Sequence, residues 1–174
     1  MFQRICNHTS LLIVGLVIGA VLTAGWHGAT TIAPAHATAT HGADNFAIAT
    51  GLVDDGIEAL YFLDYLTGDL RAAIISRRTG EFSGFFEYNV LGDFVGMTDS
   101  PKFLMVTGQA DLPRGRGPTQ ISKSLIYVAE ATSGQVYAYV LPFSSTLNAA
   151  GKPQSGTFIR VGGGYFRDAF VRDP

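Results

Sequence analysis

The side chains that most often carry out catalysis are confined to the first part of this chain. Four histidines and one cysteine occur, all before residue 44: His8, His27, His36, His41 and Cys6. A Ser-His-Asp triad needs an imidazole, a cysteine nucleophile needs a thiolate, and zinc sites use Cys or His in nearly every case. We therefore predict no catalytic residue, no metal ligand and no cofactor in residues 44–174, and a protein that is not an enzyme.

Carboxylates are the remaining acid–base groups, and 14 Asp and Glu residues are present. Asp54, Asp55 and Glu58 lie within one short stretch, and calcium prefers such oxygen clusters, but the spacing of an EF-hand loop is missing. A hairpin turn is the better interpretation of this stretch. A second hypothesis, carbohydrate binding or carboxylate-dependent hydrolysis, needs two suitably spaced carboxylates. Its candidates are Asp64, Asp93, Asp111 and Glu130.

Arginines supply the candidate site for an anion or for a carboxylate of a partner. The longest predicted loop, residues 107–122, contains Arg114 and Arg116 beside glycines that allow close approach of the backbone. Arg77 and Arg78 follow a predicted strand and could join them. A guanidinium group binds carboxylates and phosphates through two parallel hydrogen bonds. A solvated surface loop is the alternative interpretation.

The charge balance argues against nucleic acid as a partner. The chain has 12 Lys and Arg against 14 Asp and Glu, a net charge of -2, and only 15% of its residues are charged. A globular domain averages roughly 25% charged residues, and nucleic-acid binding requires a basic face. We therefore expect no nucleic-acid partner.

The N-terminal segment, residues 1–33, is predicted to target the chain to a membrane. Arg4 precedes an apolar run at 11–24, a length typical of a secretory signal. The Ala-x-Ala pattern at 35–37 lies far behind that run for a cleavage site. Extended to residue 33, the stretch is long enough to span a bilayer. We favour an uncleaved single-pass anchor at 11–33 slightly over a cleaved signal, and expect an exported protein in the cell envelope.

Residues 34–45 are small and polar, which predicts a flexible linker, and residues 46–174 predict a β-rich extracytoplasmic domain. Its apolar runs are short and separated by glycine turns, as in antiparallel hairpins. We expect the three glycines at 162–164 to form a turn or bulge, and one helical turn at 145–150. The predicted strands are residues 59–64, 70–76, 82–88, 102–107, 124–130, 135–141, 157–161 and 165–170.

One internal repeat is visible, in which residues 61–72 align with residues 127–138. Equivalent positions are Tyr61 and Tyr127, Asp64 and Glu130, Gly68 and Gly134, Leu70 and Val136, and Ala72 and Ala138. We expect the glycine to supply a positive φ at a turn and the acidic residue to accept hydrogen bonds from turn amides. The repeat therefore predicts turn stabilisation as the role of Asp64 and Glu130.

The repeat resembles the blade hairpins of β-propellers, especially quinoprotein-like and seven-bladed proteins with an Asp-x-x-Thr-Gly turn. Through the segments 62–72, 104–108 and 127–131, residues 46–174 also resemble a family of small bacterial envelope proteins that combine an N-terminal apolar segment with this repeat. These resemblances imply an architecture and no activity. The Trp and paired-Cys motifs of quinoprotein enzymes are absent, so the resemblance implies no quinone.

About 130 residues cannot close a propeller, which needs at least four blades of four strands. The expectation is an all-β fold of antiparallel hairpins, as a small barrel, a two-sheet sandwich or a half-propeller. Unpaired sheet edges favour association. We therefore predict a non-catalytic module for protein–protein assembly whose partner is a second copy of this chain or other envelope proteins, with Tyr165, Phe166 and Phe170 as interface candidates.

Overall fold

The computed structural model describes residues 14–19, 40–94, 96, 101–113 and 120–167. The chain divides into two units, Met1–Ala35 and His36–Pro174. In the first unit, residues 14–19 are helical. None of the helices in the described ranges has both the length and the apolar character needed to cross a bilayer. Most of the predicted anchor, residues 11–33, lies outside those ranges.

The second unit is built from β-strands, which confirms the all-β class. Ten strands occur in its described residues: β1 (Thr40–Gly42), β2 (Phe46–Asp54), β3 (Ile57–Asp64), β4 (Asp69–Ile75), β5 (Phe82–Asn89), β6 (Phe103–Gln109), β7 (Gln120–Glu130), β8 (Gln135–Phe143), β9 (Gln154–Thr157) and β10 (Ile159–Tyr165). A 3-10 turn, Leu91–Asp93, follows β5, and a short helix, Ser145–Ala149, follows β8. The single helical turn expected near residue 145 is therefore confirmed.

The strands form two sheets that share one core. One sheet has six strands in the order β1-β2-β3-β4-β5-β9, and the other has four in the order β10-β8-β7-β6. Alternate residues of both sheets point inward and join one buried cluster, with Tyr61, Leu63 and Leu70 from one sheet and Val128 and Tyr139 from the other. Each such side chain contributes roughly 1.5–3 kcal/mol by leaving water. Of the three architectures expected, the described residues adopt the two-sheet sandwich.

Three hairpin turns share one geometry, although the sequence repeat showed only two of them. In each turn, the side chain of the first residue accepts hydrogen bonds from two later amides, through one oxygen of Asp64 and Ser76 and through both oxygens of Glu130, and the glycine has a φ of 70–75°. The first residues are Asp64 in the β3–β4 turn, Ser76 in the β4–β5 turn and Glu130 in the β7–β8 turn. A serine hydroxyl replaces the carboxylate in the turn that the repeat did not show.

Several predicted elements need correction. The glycines at 162–164, expected as a turn or bulge between two strands, form no turn, because β10 runs through them; a bulge does occur at their start, between Arg160 and Gly162. Glycine lacks the side chain that marks a strand in sequence, yet pairing with β8 holds these residues extended. The predicted strand 157–161 is divided between β9 and β10. β9 also pairs parallel with β5, so the hairpins are not the whole architecture.

The start of the second unit also adds two strands that the sequence analysis did not predict. Within residues 34–45, the predicted linker, β1 pairs antiparallel with β2. β2 itself alternates between buried and half-buried residues and pairs with β3 along most of its length. Asp54 and Asp55 lie at the β2–β3 hairpin, where Gly56 has a φ of 66°.

Candidate interaction surface

The two copies of the sequence repeat bury opposite faces of their hairpins. In the β3–β4 hairpin, Tyr61 is fully buried in the core, together with the repeat positions Leu63, Leu70 and Ala72. In the β7–β8 hairpin, Tyr127 is 37% exposed. Because side chains alternate between the faces of a sheet, the other repeat positions on these strands share the face of Tyr127. The equivalents of residues that are buried in the β3–β4 hairpin therefore lie on the outer side of the four-stranded sheet.

We call this surface the outer face and define it by eight residues in two rows across the sheet: Leu104, Ala129, Val136 and Gly164 in one row, and Val106, Tyr127, Ala138 and Gly162 in the other. None of the eight carries a charge or a polar side chain apart from the tyrosine hydroxyl. Leu104 and Val106 are 59% and 53% exposed. The solvent-facing side of a two-sheet sandwich is ordinarily polar. The apolar composition of the outer face is instead typical of a surface that a partner covers.

The edge of the sheet at β10 is open in the described residues. β10 pairs with β8 on one side and has no neighbouring strand on the other. Proteins commonly protect such edges with Lys, Pro, bulges or inward-pointing charges. In β10 the inward-pointing Arg160 and the bulge lie near its start, and residues 161–165 carry neither a charge nor a Pro. A side-chain carbon placed at Gly162 or Gly164 would meet none of the described atoms within 4 Å.

A buried carboxylate holds β10 at this end of the sandwich. Asp93, in the 3-10 turn after β5, accepts hydrogen bonds from the hydroxyls of Tyr88 and Tyr139, each at 2.9 Å. Its other oxygen accepts a hydrogen bond from Arg160 Nη1 of β10 at 2.7 Å. The Arg160 guanidinium also lies 5.3 Å from the centre of the Tyr137 ring, which is within the range of a cation–π contact. These contacts tie the edge strand to the six-stranded sheet.

Burial is the first cause that raises the pKa of Tyr139 above its usual range, and the hydrogen bond to Asp93 is the second. The same two causes raise the pKa of Tyr88. Both hydroxyls therefore stay protonated and continue to donate to Asp93 across the neutral range. Asp93 with Tyr88, Tyr139 and Arg160, the Asp93 cluster, therefore connects the two sheets, and both carboxylate oxygens accept hydrogen bonds within it.

The predicted interface residues lie at the end of β10. Tyr165 and Phe166 are 66% and 79% exposed. The Phe166 amide donates to the Gly134 carbonyl at 2.9 Å, and the next residue, Arg167, donates to the Ala131 carbonyl at 3.1 Å. Phe166 and Arg167 are thus held at the β7–β8 turn, and the rings of Tyr165 and Phe166 point to solvent. Phe170 lies outside the described residues.

The four candidate arginines do not form one described site. Arg114 and Arg116 lie outside the described residues. Arg77 lines a cavity of about 500 Å³ with Asp54, Asp55 and Asn148, among others. Both aspartates also face Lys123, whose Nζ lies 3.8 Å from Asp54 Oδ1 and in direct contact with Asp55. The acidic and basic charges around this cavity balance, so it does not favour an anion. Arg78 donates instead to the Ala150 carbonyl at 3.3 Å.

The candidate acids are engaged in the fold to different extents. Asp64 Oδ1 accepts from the amides of Leu66 and Thr67 at 2.8 and 3.1 Å. Glu130 is fully buried and accepts from the amides of Thr132, Ser133 and Lys102 at 3.0, 2.6 and 3.3 Å. Burial alone would raise the pKa of Glu130, but these amide hydrogen bonds outweigh it and lower the pKa to about 2. Asp111 is exposed in the segment after β6.

In the part of the chain that the structure describes, no group of three His, Cys, Asp or Glu residues is placed to hold a metal ion.

Comparison with protein-family models gave no match, and comparisons with curated proteins and with solved structures gave none either. The sequence analysis missed the outer face altogether. The signal was present in the repeat, whose apolar positions recur in both copies although a single sandwich core buries only one of them.

Proposed function

We propose that this protein is a non-catalytic module for protein–protein assembly, and that a second copy of the chain covers its outer face and the edge of β10. The observation that carries the proposal is the opposite burial of the two repeat hairpins. Repeat positions that lie in the core in one copy are only partly covered in the other, where Tyr127 is 37% exposed and Ala129, Val136 and Ala138 are half-buried. Covering what remains exposed with a partner would recover hydrophobic free energy.

A second copy suits this surface because the outer face carries no charge. A two-fold symmetric interface brings the same surface of two subunits together, so any charge near the axis would meet its own kind. A neutral apolar face meets itself without that repulsion. The free edge of β10 adds main-chain hydrogen bonds if the two edges pair, which would continue the sheet from one copy into the next.

The size of the surface indicates a modest affinity. Four strands about 4.8 Å apart and two rows of side chains about 7 Å apart give a patch on the order of 300 Å². A stable complex buries about 800 Å² on each partner. The outer face supplies roughly a third of that area, so the β10 edge and the exposed rings of Tyr165 and Phe166 must contribute as well. We therefore expect the contact to be weak in dilute solution.

Membrane tethering would compensate for a modest affinity. Confining two copies to one bilayer raises their effective concentration without any new contact. The apolar segment at residues 11–33 provides such a tether in our proposal, with the β-rich unit on the outer side of the membrane at the cell envelope. N-terminal sequencing of the membrane-extracted protein tests the tether, because an uncleaved anchor leaves the chain starting at Met1 and a cleaved signal leaves it starting near Thr38.

Fluorescence energy transfer between copies tests the assembly. Cys6 is the only cysteine, so donor and acceptor dyes can be attached at one position of the full-length chain. In vesicles of phosphatidylethanolamine and phosphatidylglycerol we expect transfer above the level of random mixing. The Val106→Asp variant places a charge on the outer face and should reduce transfer to that level.

A matched control uses an exposed apolar residue elsewhere. Leu66 lies in the β3–β4 turn and is 76% exposed. The Leu66→Asp variant adds the same charge and should retain the transfer of the wild type. Random-mixing transfer in the wild type, or equal loss in both variants, would refute assembly through the outer face.

A further inference from the structure

A cleft on the opposite sheet has the features of a small-molecule site. It lies beside β5 and β9, and it has a volume of about 430 Å³, within the range of roughly 300–1,000 Å³ typical of ligand pockets. Its lining includes Phe82, Phe85, Glu81, Ser83 and Ser155. Since β9 pairs with β5 in the six-stranded sheet, the cleft is separate from the outer face.

Two exposed aromatic rings form one wall of the cleft. Phe82 and Phe85 are 49% and 59% exposed, and their ring centres lie 6.4 Å apart at an angle of 52°. The faces of aromatic rings carry partial negative charge and attract C–H groups with partial positive charge. The ring faces of a pyranose sugar present such C–H groups, while its rim presents hydroxyls.

Polar groups lie beside the two rings. The residues that line the cleft include Glu81, Thr79, Ser83 and Ser155. Ser83 Oγ is buried beneath the surface of the cleft, out of reach of a ligand hydroxyl, so contacts to a ligand fall to the Glu81, Thr79 and Ser155 side chains. No Lys or Arg among the described residues lines the cleft, so its composition favours a neutral polyol over an anion.

We propose that the cleft between Phe82, Phe85 and Ser155 binds a neutral carbohydrate, with the two phenylalanine rings against a sugar face and the Thr79, Glu81 and Ser155 side chains against its hydroxyls. The site uses none of the four carboxylates suggested by the sequence. It is also independent of self-association, so either property can fail without the other.

Isothermal titration calorimetry of the full-length chain tests the proposal. The probes are cellohexaose, maltohexaose and chitotriose, and the detergent carries a phosphocholine headgroup so that no detergent sugar competes. We expect at least one probe to bind with a Kd of about 1 mM or tighter. The Phe85→Ala variant should weaken that binding at least ten-fold, and Ser155→Ala should weaken it several-fold.

Phe46→Ala is the matched control, because Phe46 is an exposed phenylalanine of the same sheet that stacks on Phe62 and lies outside the cleft. We expect it to leave the Kd unchanged. Thermal unfolding of each variant identifies any that fails to fold, and Phe82→Ala then replaces Phe85→Ala as the test. Absence of binding for all three probes, or unchanged affinity in both phenylalanine cleft variants, would overturn the proposal.

Discussion

Tyr61 and Tyr127 occupy the same position in two hairpins of similar sequence, yet they point to opposite sides of the sandwich. Tyr61 is fully buried and its hydroxyl lies 2.6 Å from Ser124 Oγ, whereas Tyr127 is 37% exposed on the outer face. The local turn is the same in both copies, with a side-chain acceptor, two amide donors and a glycine of positive φ. The hairpin sequence therefore determines the turn but not the side that becomes the core.

The difference in burial predicts different contributions from the two turn acids. The pKa of Glu130 falls from 4.5 to about 2 on folding, so the unfolded chain binds more protons between these values. The stabilisation is present above pH 4.5 and is lost as the pH falls toward 2, and it amounts to roughly 3 kcal/mol. We expect Glu130→Gln to lower the free energy of unfolding at neutral pH and to flatten its decline in acid.

Asp64→Asn is the matched control for this prediction, because Asp64 makes the equivalent hydrogen bonds at an exposed turn. It should cost no more than about 1 kcal/mol. Urea unfolding of both variants over the acid range measures the comparison. An equal loss in the two variants would mean that burial of Glu130 adds nothing to the shared turn geometry.

The repeat illustrates how much of this fold could be predicted from sequence. Strand content, hairpin turns and the role of turn glycines follow from local patterns, because each depends on neighbouring residues. The paired sheets do not follow, because β9 joins β5 across a long separation in the chain. The outer face was missed for the same reason, since its exposure depends on which side of β7 and β8 the six-stranded sheet covers.

The β4–β5 turn shows a second reason why the sequence repeat predicted only part of the fold. Ser76 takes the place of Asp64 or Glu130, and its hydroxyl accepts from the amides of Arg78 and Thr79 at 3.2 and 3.3 Å. A sequence search for an acidic residue at this position does not find the serine, although its hydrogen-bonding role is the same. The residues of the cleft could not be predicted from sequence for a similar reason. Ser83 and Phe85 belong to no motif, and they line a cleft only because β9 pairs with β5.

The buried hydroxyl of Ser83 leads to a prediction about stability without any ligand. Ser83→Ala removes a buried oxygen that has no partner among the described residues, so the free energy of unfolding should stay the same or rise by about 1 kcal/mol. Ser124→Ala should lower it by about 1–3 kcal/mol, because it leaves the buried Tyr61 hydroxyl without this partner. Urea unfolding distinguishes the two variants. A loss for Ser83→Ala as large as that for Ser124→Ala would show that Ser83 is hydrogen-bonded after all.

The buried tyrosines predict alkaline sensitivity. Burial raises the pKa of Tyr61 from 10.0 to about 12, despite the opposing hydrogen bond with Ser124. Tyr61 therefore stabilises the fold fully below pH 10, and its contribution is lost as the pH rises through 12. Unfolding free energies measured over this range should fall with increasing pH, and Tyr61→Phe should make the fall less steep. An unchanged slope in Tyr61→Phe would contradict the assignment.

Arg160 is expected to stabilise the β10 edge more than a surface ion pair would. Its partner Asp93 is only 9% exposed at the side chain, so Arg160→Met leaves a nearly buried carboxylate without its cation. We expect a loss of about 1–3 kcal/mol. The control is Arg71→Met, which breaks a pair with Asp69 whose side chains are 60% and 32% exposed and should cost less than about 1 kcal/mol. Equal losses in urea unfolding would mean that the Asp93 cluster does not anchor β10.

The most direct test of assembly through the outer face is cross-linking of the full-length protein in phospholipid vesicles. In a Cys6→Ser background, Gly162→Cys places one thiol on β10, where a side chain meets none of the described atoms within 4 Å. Gly92→Cys is the control, because a side chain there also meets no described atom within 4 Å, but Gly92 lies in the 3-10 turn after β5. A bismaleimide with an arm of about two strand spacings, ~10 Å, is then added. Our account predicts a cross-linked dimer with Gly162→Cys and a monomer with Gly92→Cys. A monomer in both, or equal dimer in both, would contradict it.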